Sequence, residues 1–231
     1  MPIHRRCLVA IPFPYLWTHP REAASSSSGV TAETLDDLPA IYERVLQMDI
    51  QRWVLFFLIS VGRGSALTEI SSAQSEQFLN WLYNKSQEAS FAIKTTEAHH
   101  FRRIAFLHMQ AAGLSEQEIL KSSIGRGFGI RDGNGILFIS HVGQIYPSGF
   151  LPIPTGNIIG SSLVEIYRDH PLFKSLRNVE SLSGKCGNCP FRWICGGSRA
   201  RAYASTGDPL ESDSLCPYQP QSKGAALDCD S

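Results

Sequence analysis

Four cysteines crowded near the end of the chain limit its possible folds more than any other feature. Cys186 and Cys189 form a C-x2-C pair, Cys195 follows after five intervening residues and Cys216 after twenty more. Two cysteines three positions apart in a tight turn present both sulfurs to one centre, while folding must bring in the other two. Four thiolates around one site suit either a cubane iron–sulfur cluster or a tetrahedral zinc ion.

The asymmetry of this spacing separates the two alternatives. A zinc ribbon repeats a second C-x2-C pair, whereas here the second half of the set consists of single cysteines. The spacing therefore favours an iron–sulfur cluster, with zinc-bound or buried thiols as the open alternative. A chain of 231 residues does not need a disulfide framework. Clustered thiols in such a chain indicate metal ligands and a reducing cytoplasm.

Charge and hydropathy exclude two classes of partner. Lys and Arg total 21 and Asp and Glu total 21, so the formal net charge is zero. This balance gives no electrostatic footprint for nucleic acid or for an anionic membrane. The longest apolar run, residues 53–61, is far shorter than the roughly 20 residues that span a bilayer. We predict no nucleic-acid partner and no membrane association.

The first two parts of the chain differ in pattern. Residues 1–30 have no usable hydrophobic period and end in the serine-rich stretch AASSSSG, which predicts a disordered leader. Residues 31–112 then alternate between the patterns of helices and strands. The run at 53–61 is continuously apolar, which predicts a parallel strand covered on both faces. Helices and strands that alternate with short connections predict α/β units.

Residues 113–231 have a different character. Glycine-rich turns precede two short strand patterns at 136–140 and 144–146, and the cysteines follow. These features predict a small α+β module. A domain boundary near residue 112 fits the change of pattern.

The amino-acid sequence around the cysteines resembles that of a known family. It reads KCGNCPFRWICGGSRARAYASTGDPLESDSLCPYQP and contains C-G-G-x-R-A-R-A-Y-A, then T-G-D and a final C-P. It resembles the C-terminal SPASM or twitch extension of radical SAM enzymes, especially the branch that includes haem-biosynthetic enzymes. The match is close over residues 186–217, and pieces such as 143–151 look like the same extension. The expected fold is a set of partial radical SAM (β/α) barrel units followed by a small α+β SPASM module.

The resemblance implies one auxiliary 4Fe-4S cluster. Its ligands would be Cys186, Cys189, Cys195 and Cys216. Many SPASM domains carry a further cysteine at the position of Ser198, which offers no thiol here. Arg199 and Arg201 would either lie near a negative cluster or anionic substrate or form a solvated helix face. Two positions apart, they would point in different directions on a helix.

Radical SAM enzymes hold their catalytic cluster with a C-x3-C-x2-C motif, and this sequence lacks one. Cys7 is the only cysteine before Cys186. We therefore expect this chain to be the C-terminal part of a longer enzyme. It would use S-adenosylmethionine only if the missing N-terminal half is present, and it should not cleave SAM by itself.

Strand ends and the loops after them are where a barrel places its chemistry. On this basis the candidates for contact with SAM or substrate are Gly62, Arg63, Glu97, His100 and Arg103. For His99 and His100 the alternative is a pair of partly exposed helix histidines.

Three functions stay open. The first is a radical SAM enzyme or enzyme fragment that modifies a peptide or tetrapyrrole and exchanges electrons with a redox partner. The second is a noncatalytic iron–sulfur electron-transfer module. The third is a zinc-binding interaction module.

Overall fold

Two three-stranded sheets organise residues 24–220, the part of the chain that the computed structural model describes. The elements of the first half are β1 (Ser25–Val30), α1 (Leu38–Leu46), β2 (Arg52–Phe57), α2 (Ser72–Glu88), β3 (Ala92–Thr96), α3 (Phe101–Ala111) and α4 (Glu116–Lys121). Those of the second half are β4 (Phe138–Ile139), β5 (Gln144–Tyr146), β6 (Gly156–Asn157), α5 (Leu163–Asp169), α6 (Pro171–Arg177), α7 (Gly184–Gly187) and α8 (Arg199–Thr206).

The first sheet is parallel, with the order β1-β2-β3. Leu55 lies opposite Ser28 on one side and opposite Thr95 on the other. Parallel neighbours need a crossover, and helices α1 and α2 supply the two crossovers. The prediction of a mixed α/β chain with a parallel sheet is confirmed. The second sheet is antiparallel, with the order β4-β5-β6, and contains the predicted hairpin with a shorter first strand.

The serine-rich stretch is not part of a disordered leader. Residues Ser25–Val30 form β1 and pair along their length with β2. The Ser28 hydroxyl accepts a hydrogen bond from Trp53 Nε1 at 3.0 Å, and Val30 is buried. Serine repeats carry no hydrophobic period, so no local pattern indicates a strand that depends on its neighbour for backbone hydrogen bonds. Residues 1–23 of the predicted leader lie outside the described residues.

The apolar run at 53–61 forms a shorter and more one-sided strand than expected. Strand β2 ends at Phe57, and its burial alternates. Trp53, Leu55 and Phe57 are buried against helices, whereas Phe56 is 42% exposed. The expectation that both faces are covered is therefore wrong, because helices α1 to α3 pack against the face that carries the buried residues.

Packing continues across the predicted boundary near residue 112. Leu215, next to the last cysteine of the set, belongs to the core of the parallel sheet. Phe106 of α3 packs with Ile119, Ile194 and Cys195 in another buried cluster. The division of the chain into domains stays a prediction. In residues 24–220, no helix is both long and apolar enough to cross a membrane.

The one-sided burial of β2 yields a test with neighbouring residues. Leu55 is fully buried, so Leu55→Ala should lower the free energy of unfolding by about 2–5 kcal/mol. Phe56→Ala removes a larger side chain from the exposed face and should cost less than about 1 kcal/mol. Urea unfolding followed by circular dichroism measures both values. Equal costs would contradict the one-sided packing.

Candidate metal centre

The four cysteines of the last third line a single cavity. Cys186 lies in the short helix α7, Cys189 in the turn after it, Cys195 before α8, and Cys216 in the segment that follows α8. The cavity holds about 370 Å³ of space between atoms, including its open mouth. All four residues are free cysteines. Folding thus brings the two late cysteines to the C-x2-C pair, as the spacing required.

The sulfurs surround this cavity instead of converging on one point. Among residues 24–220, no group of three or more His, Cys, Asp or Glu side chains is placed to hold a single metal ion. The donor set is therefore four soft thiols arranged around a space.

Two glycines allow the backbone to approach this space. Gly196 and Gly197 have φ angles of +68° and +65°, in the left-handed region that favours glycine. A Cβ on Gly197 would lie 2.8 Å from Asp213 Cβ and 3.2 Å from Cys186 Sγ. The N–H of Gly197 also donates to Cys195 Sγ at 3.4 Å. Any side chain at position 197 would therefore occupy the space next to a sulfur.

Burial disfavours the thiolate form of three of the four cysteines. It raises the pKa of Cys195 and of Cys189 above the ordinary thiol range, and it raises the pKa of Cys216 to about 11. A metal or cluster binds thiolates, so loading the site would release protons.

Positive groups and N–H donors lie next to the sulfurs. Arg103 Nη2 is 3.9 Å from Cys216 Sγ. Arg199 Nη2 is 3.5 Å from Cys186 Sγ, and the backbone N–H of Asp213 donates to the same sulfur at 3.4 Å. Such groups stabilise thiolates and orient metal ligands. The residues present therefore fit a thiolate-ligated iron–sulfur cluster.

Arg103 lines the cysteine cavity. It does not line a second cavity at the carboxyl end of β3, which is bordered by residues 95–99, Arg102 and Arg131. Arg103 Nη2 forms a 2.6 Å ion pair with Glu76, and its guanidinium is 5.1 Å from the centre of the Tyr218 ring. Arg103 is buried, so these partners hold it beside Cys216.

Glu97 is buried directly after β3. Its φ is +61°, the only positive value for a non-glycine residue in the described part of the chain. The Ser198 hydroxyl donates a hydrogen bond to its carboxyl group. Burial, reinforced by the nearby Asp132 carboxylate, raises the pKa of Glu97 to about 8. Strained backbone and a protonated carboxyl at the end of a parallel strand are features of functional positions.

His100 is fully buried, so its description as a partly exposed helix histidine is wrong. Its Nε2 lies 2.8 Å from the Ser75 hydroxyl, and burial lowers its pKa to about 3. His99 is half-buried. Gly62 and Arg63 are exposed in a 3-10 turn at Gly62–Ala66 and line neither the cysteine cavity nor the cavity at the end of β3.

Helix α8 carries two buried arginines, so the alternative of a solvated helix face is wrong. Arg199 and Arg201 are 0% and 1% exposed. Their predicted divergence is confirmed. Arg199 donates to the carbonyls of Pro209 and Glu211 near the cysteines, at 3.0 and 2.7 Å. These carbonyls lie 10 and 12 residues from Arg199, so helical periodicity does not reveal the hydrogen bonds that compensate its burial.

Arg201 joins the two halves of the chain. It donates to the carbonyl oxygens of Leu58 and Glu97 at 2.8 and 2.7 Å. It also pairs with Glu69 at 3.1 Å and with Asp213 at 3.4 Å. Burial alone would raise the pKa of Asp213, but Arg201 and other positive neighbours lower it to about 2. The ends of β2 and β3 are therefore fixed to α8.

The sequence did not predict the contacts that three further residues make around Arg199 and Arg201. Ser198 caps α8 and contacts Glu97. Asp213 accepts from the Ser198 N–H at 2.8 Å, and Asp132 accepts from the N–H groups of Arg199 and Ala200 at 3.0 and 3.1 Å. Asp132 was visible only as part of an Asp-Gly turn, and no local pattern indicates a contact over 67 residues.

Fold and site together define a mixed α/β protein with four free cysteines around one cavity beside the core of a parallel sheet. No family model matches the chain. It is 34% identical over 194 residues to an AdoMet-dependent heme synthase of Methanosarcina barkeri, covering 84% of this chain and 56% of that protein. It is also 34% identical over 194 residues to an AdoMet-dependent heme synthase of Nitratidesulfovibrio vulgaris, covering 83% and 53%.

A more distant relative is the pre-heme d1 synthase of Dinoroseobacter shibae, which is 28% identical over 176 residues and is covered over 37% of its length. The chain spans about half the length of the AdoMet-dependent heme synthases that it matches. This similarity supports the resemblance to the haem-biosynthetic branch of radical SAM enzymes.

The buried ion network around Arg201 predicts a large loss of stability on substitution. Arg201→Gln leaves Asp213 without its ion partner in the interior and should lower the free energy of unfolding by about 3–5 kcal/mol. Lys174→Gln breaks an exposed pair with Asp169 and should cost less than about 1 kcal/mol. Guanidinium unfolding measures both, and a small loss for Arg201→Gln would contradict a joining role.

The raised pKa of Glu97 predicts a pH dependence. The pKa of Glu97 is about 8 in the folded chain and 4.5 for an ordinary glutamate, as in the unfolded chain. Between these pH values the folded state therefore binds one more proton than the unfolded state. Unfolding free energy therefore decreases as pH rises from 5 through 8. Glu97→Gln removes this contribution, so the variant should gain stability relative to the wild type over that range. A constant difference across the range would refute the assignment.

Proposed function

We propose that the cysteine cavity binds one 4Fe-4S cluster and that this cluster serves a radical SAM reaction on a tetrapyrrole. The observation that carries the proposal is the gathering of Cys186, Cys189, Cys195 and Cys216 around one cavity. Their ligand spacing is the one that resembles SPASM and twitch extensions. The similarity to proteins named AdoMet-dependent heme synthase is independent support.

Three features favour an iron–sulfur cluster over a zinc ion. The second half of the ligand set has single cysteines instead of a C-x2-C pair. No three of the described cysteine side chains are placed to hold a single ion, whereas one zinc ion draws its four ligands to distances of about 2.3 Å from a single point. N–H donors and arginines next to the sulfurs suit a cluster whose net charge is negative.

The role of the chain's own residues is to hold the cluster and adjust its affinity for electrons. When bound, a cluster with four thiolate ligands carries single electrons. Arg103 and Arg199 place positive charge beside Cys216 and Cys186, which favours the more negative, reduced state. The N–H of Gly197 adds a donor to Cys195. A redox partner would exchange electrons with this cluster.

The names of the relatives favour a tetrapyrrole over a peptide as the substrate. Besides the heme synthases, the chain is similar to a pre-heme d1 synthase and, at 23% identity, to the Fe-coproporphyrin III synthase of Methanosarcina barkeri. Each of these names refers to a tetrapyrrole. Of the residues proposed to contact SAM or substrate, Glu97 lies in a cavity at the end of β3, whereas Arg103 belongs to the cluster site.

Metal analysis separates this proposal from a zinc-binding interaction module. Anaerobic reconstitution of the 231-residue chain should give about four irons and four sulfides per chain, since four thiolates are the complement of one 4Fe-4S cluster. Cys189→Ala should abolish the cluster. One zinc per chain without sulfide would refute the proposal.

Two further cysteines provide matched controls. Cys7 and Cys229 lie outside the described residues and outside the proposed ligand set. Cys7→Ala and Cys229→Ala should keep the full iron and sulfide content. Loss of iron in either variant would show that the ligand set is wrong.

A further inference from the structure

A second cavity lies at the carboxyl end of β3. It is bordered by the strand end and following turn at residues 95–99, by Arg102 of α3 and by Arg131. Its empty space is about 500 Å³, including its mouth. This is the edge of a parallel sheet at which α/β proteins bind their ligands.

Two arginines of this cavity have unsatisfied donors. Arg131 is 1% exposed and donates to the carbonyls of Gly129 and Arg177, but its Nε has no partner. Arg102 Nη1 is also buried without a partner. Between residues 24 and 220, neither arginine forms an ion pair. Buried charges without a counterion are costly, so this pair indicates a missing anion.

The surrounding charges supply one carboxylate, that of the neighbouring Asp132, for two guanidinium groups. Glu97 is the only carboxyl residue among those bordering the cavity in the described range, and its pKa of about 8 leaves it mostly protonated at neutral pH. Asp132, next to Arg131, accepts from the first N–H groups of α8 through Oδ2, and its buried Oδ1 has no partner. Burial lowers the pKa of both arginines, and Arg199 and Arg102 lower that of Arg131 further, to about 10.

The start of α3 adds to the positive potential. This helix of 11 residues has no acidic residue in its first turn and no side-chain cap. Arg102 instead lies in that turn, at the positive end of the helix dipole, where a cation is unfavourable and an anion is stabilised. His99, just before the helix, has a buried Nδ1 without a partner. The helix N-terminus and the two arginines thus favour an anion in the cavity.

We propose that this cavity binds a carboxylate group of the substrate, held by Arg102 and Arg131. The proposal rests on the proposed function, because the carboxylate would be one of the acidic side chains of a tetrapyrrole. A guanidinium presents paired N–H donors that match the two oxygens of a carboxylate.

The carboxylate cavity adjoins the cysteine centre. Arg131 packs against Gly196, where an added Cβ would lie 2.9 Å from Arg131 Cδ. Gly196 directly follows Cys195, so one stretch of backbone separates the two sites. A carboxylate held by Arg131 would therefore lie close to the proposed cluster.

Titration with Fe-coproporphyrin III tests the proposal. The full chain, purified anaerobically, is titrated by absorbance as wild type and as Arg102→Gln. The exposed Arg126→Gln variant is the matched control. Loss of a charged hydrogen bond should weaken binding about 10- to 100-fold in Arg102→Gln and leave Arg126→Gln unchanged. Equal affinity of wild type and Arg102→Gln overturns the proposal.

The tetramethyl ester of the same porphyrin isolates the carboxylate contribution. Esterification should weaken binding to the wild type, and Arg102→Gln should then cause no further loss. An undiminished effect of Arg102→Gln on ester binding overturns the proposal, since the arginine would then not act on a carboxylate. Arg131→Lys, which keeps the charge in the interior, should weaken acid binding and leave ester binding unchanged.

A probe unrelated to tetrapyrroles separates the two levels of inference. If the wild type binds no Fe-coproporphyrin III, the tetrapyrrole proposal fails. Glutarate, a small dicarboxylate, then tests by itself whether the cavity binds a carboxylate. Glutarate should raise the unfolding temperature of the wild type above its value in chloride of equal ionic strength, and Arg102→Gln should remove this gain. Absence of any glutarate effect in the wild type overturns the carboxylate site.

Discussion

The buried guanidinium of Arg201 is the contact on which the arrangement of the other elements depends. It is bonded to backbone carbonyls at the ends of β2 and β3 and to the carboxylate of Asp213. Asp213 in turn binds the start of α8 and donates its own N–H to Cys186. A fully buried cation requires all of these partners at once, so the parallel sheet and the cysteine segment are fixed relative to each other.

This network places two sites of different chemistry on either side of one short segment. The cysteine cavity is lined by soft sulfur donors, and the guanidinium groups of Arg103 and Arg199 contact two of these sulfurs. The cavity at the end of β3 has arginine and histidine donors and a carboxyl group that burial keeps protonated. The stretch Cys195 to Gly197 forms part of the wall of the first site and touches Arg131 of the second. An enzyme that moves electrons to or from a bound acidic substrate would need such neighbouring sites.

Sequence patterns predicted the elements whose signals are local. The β4-β5 hairpin is present where the strand patterns at 136–140 and 144–146 predicted it, and a local capping box of Ser71 and Gln74 begins α2. Patterns failed where a residue depends on distant partners. Strand β1 is rich in serines that are ordered by pairing with β2, and Arg201 is buried because carbonyls and carboxylates far along the chain bind it.

The sequence alone determined that four thiols are available, that their spacing suits one metal centre and that α/β units precede them, because spacing and hydrophobic period are properties of neighbouring residues. Only the tertiary structure decided that Arg103 lies beside Cys216, that Glu97 is buried and contacts Ser198, and that Arg131 borders a cavity with Arg102. These placements depend on burial and on contacts across up to 113 residues of chain. Burying a charged group away from water costs free energy unless it is paired or hydrogen-bonded, and no local sequence pattern shows which distant groups will become its partners.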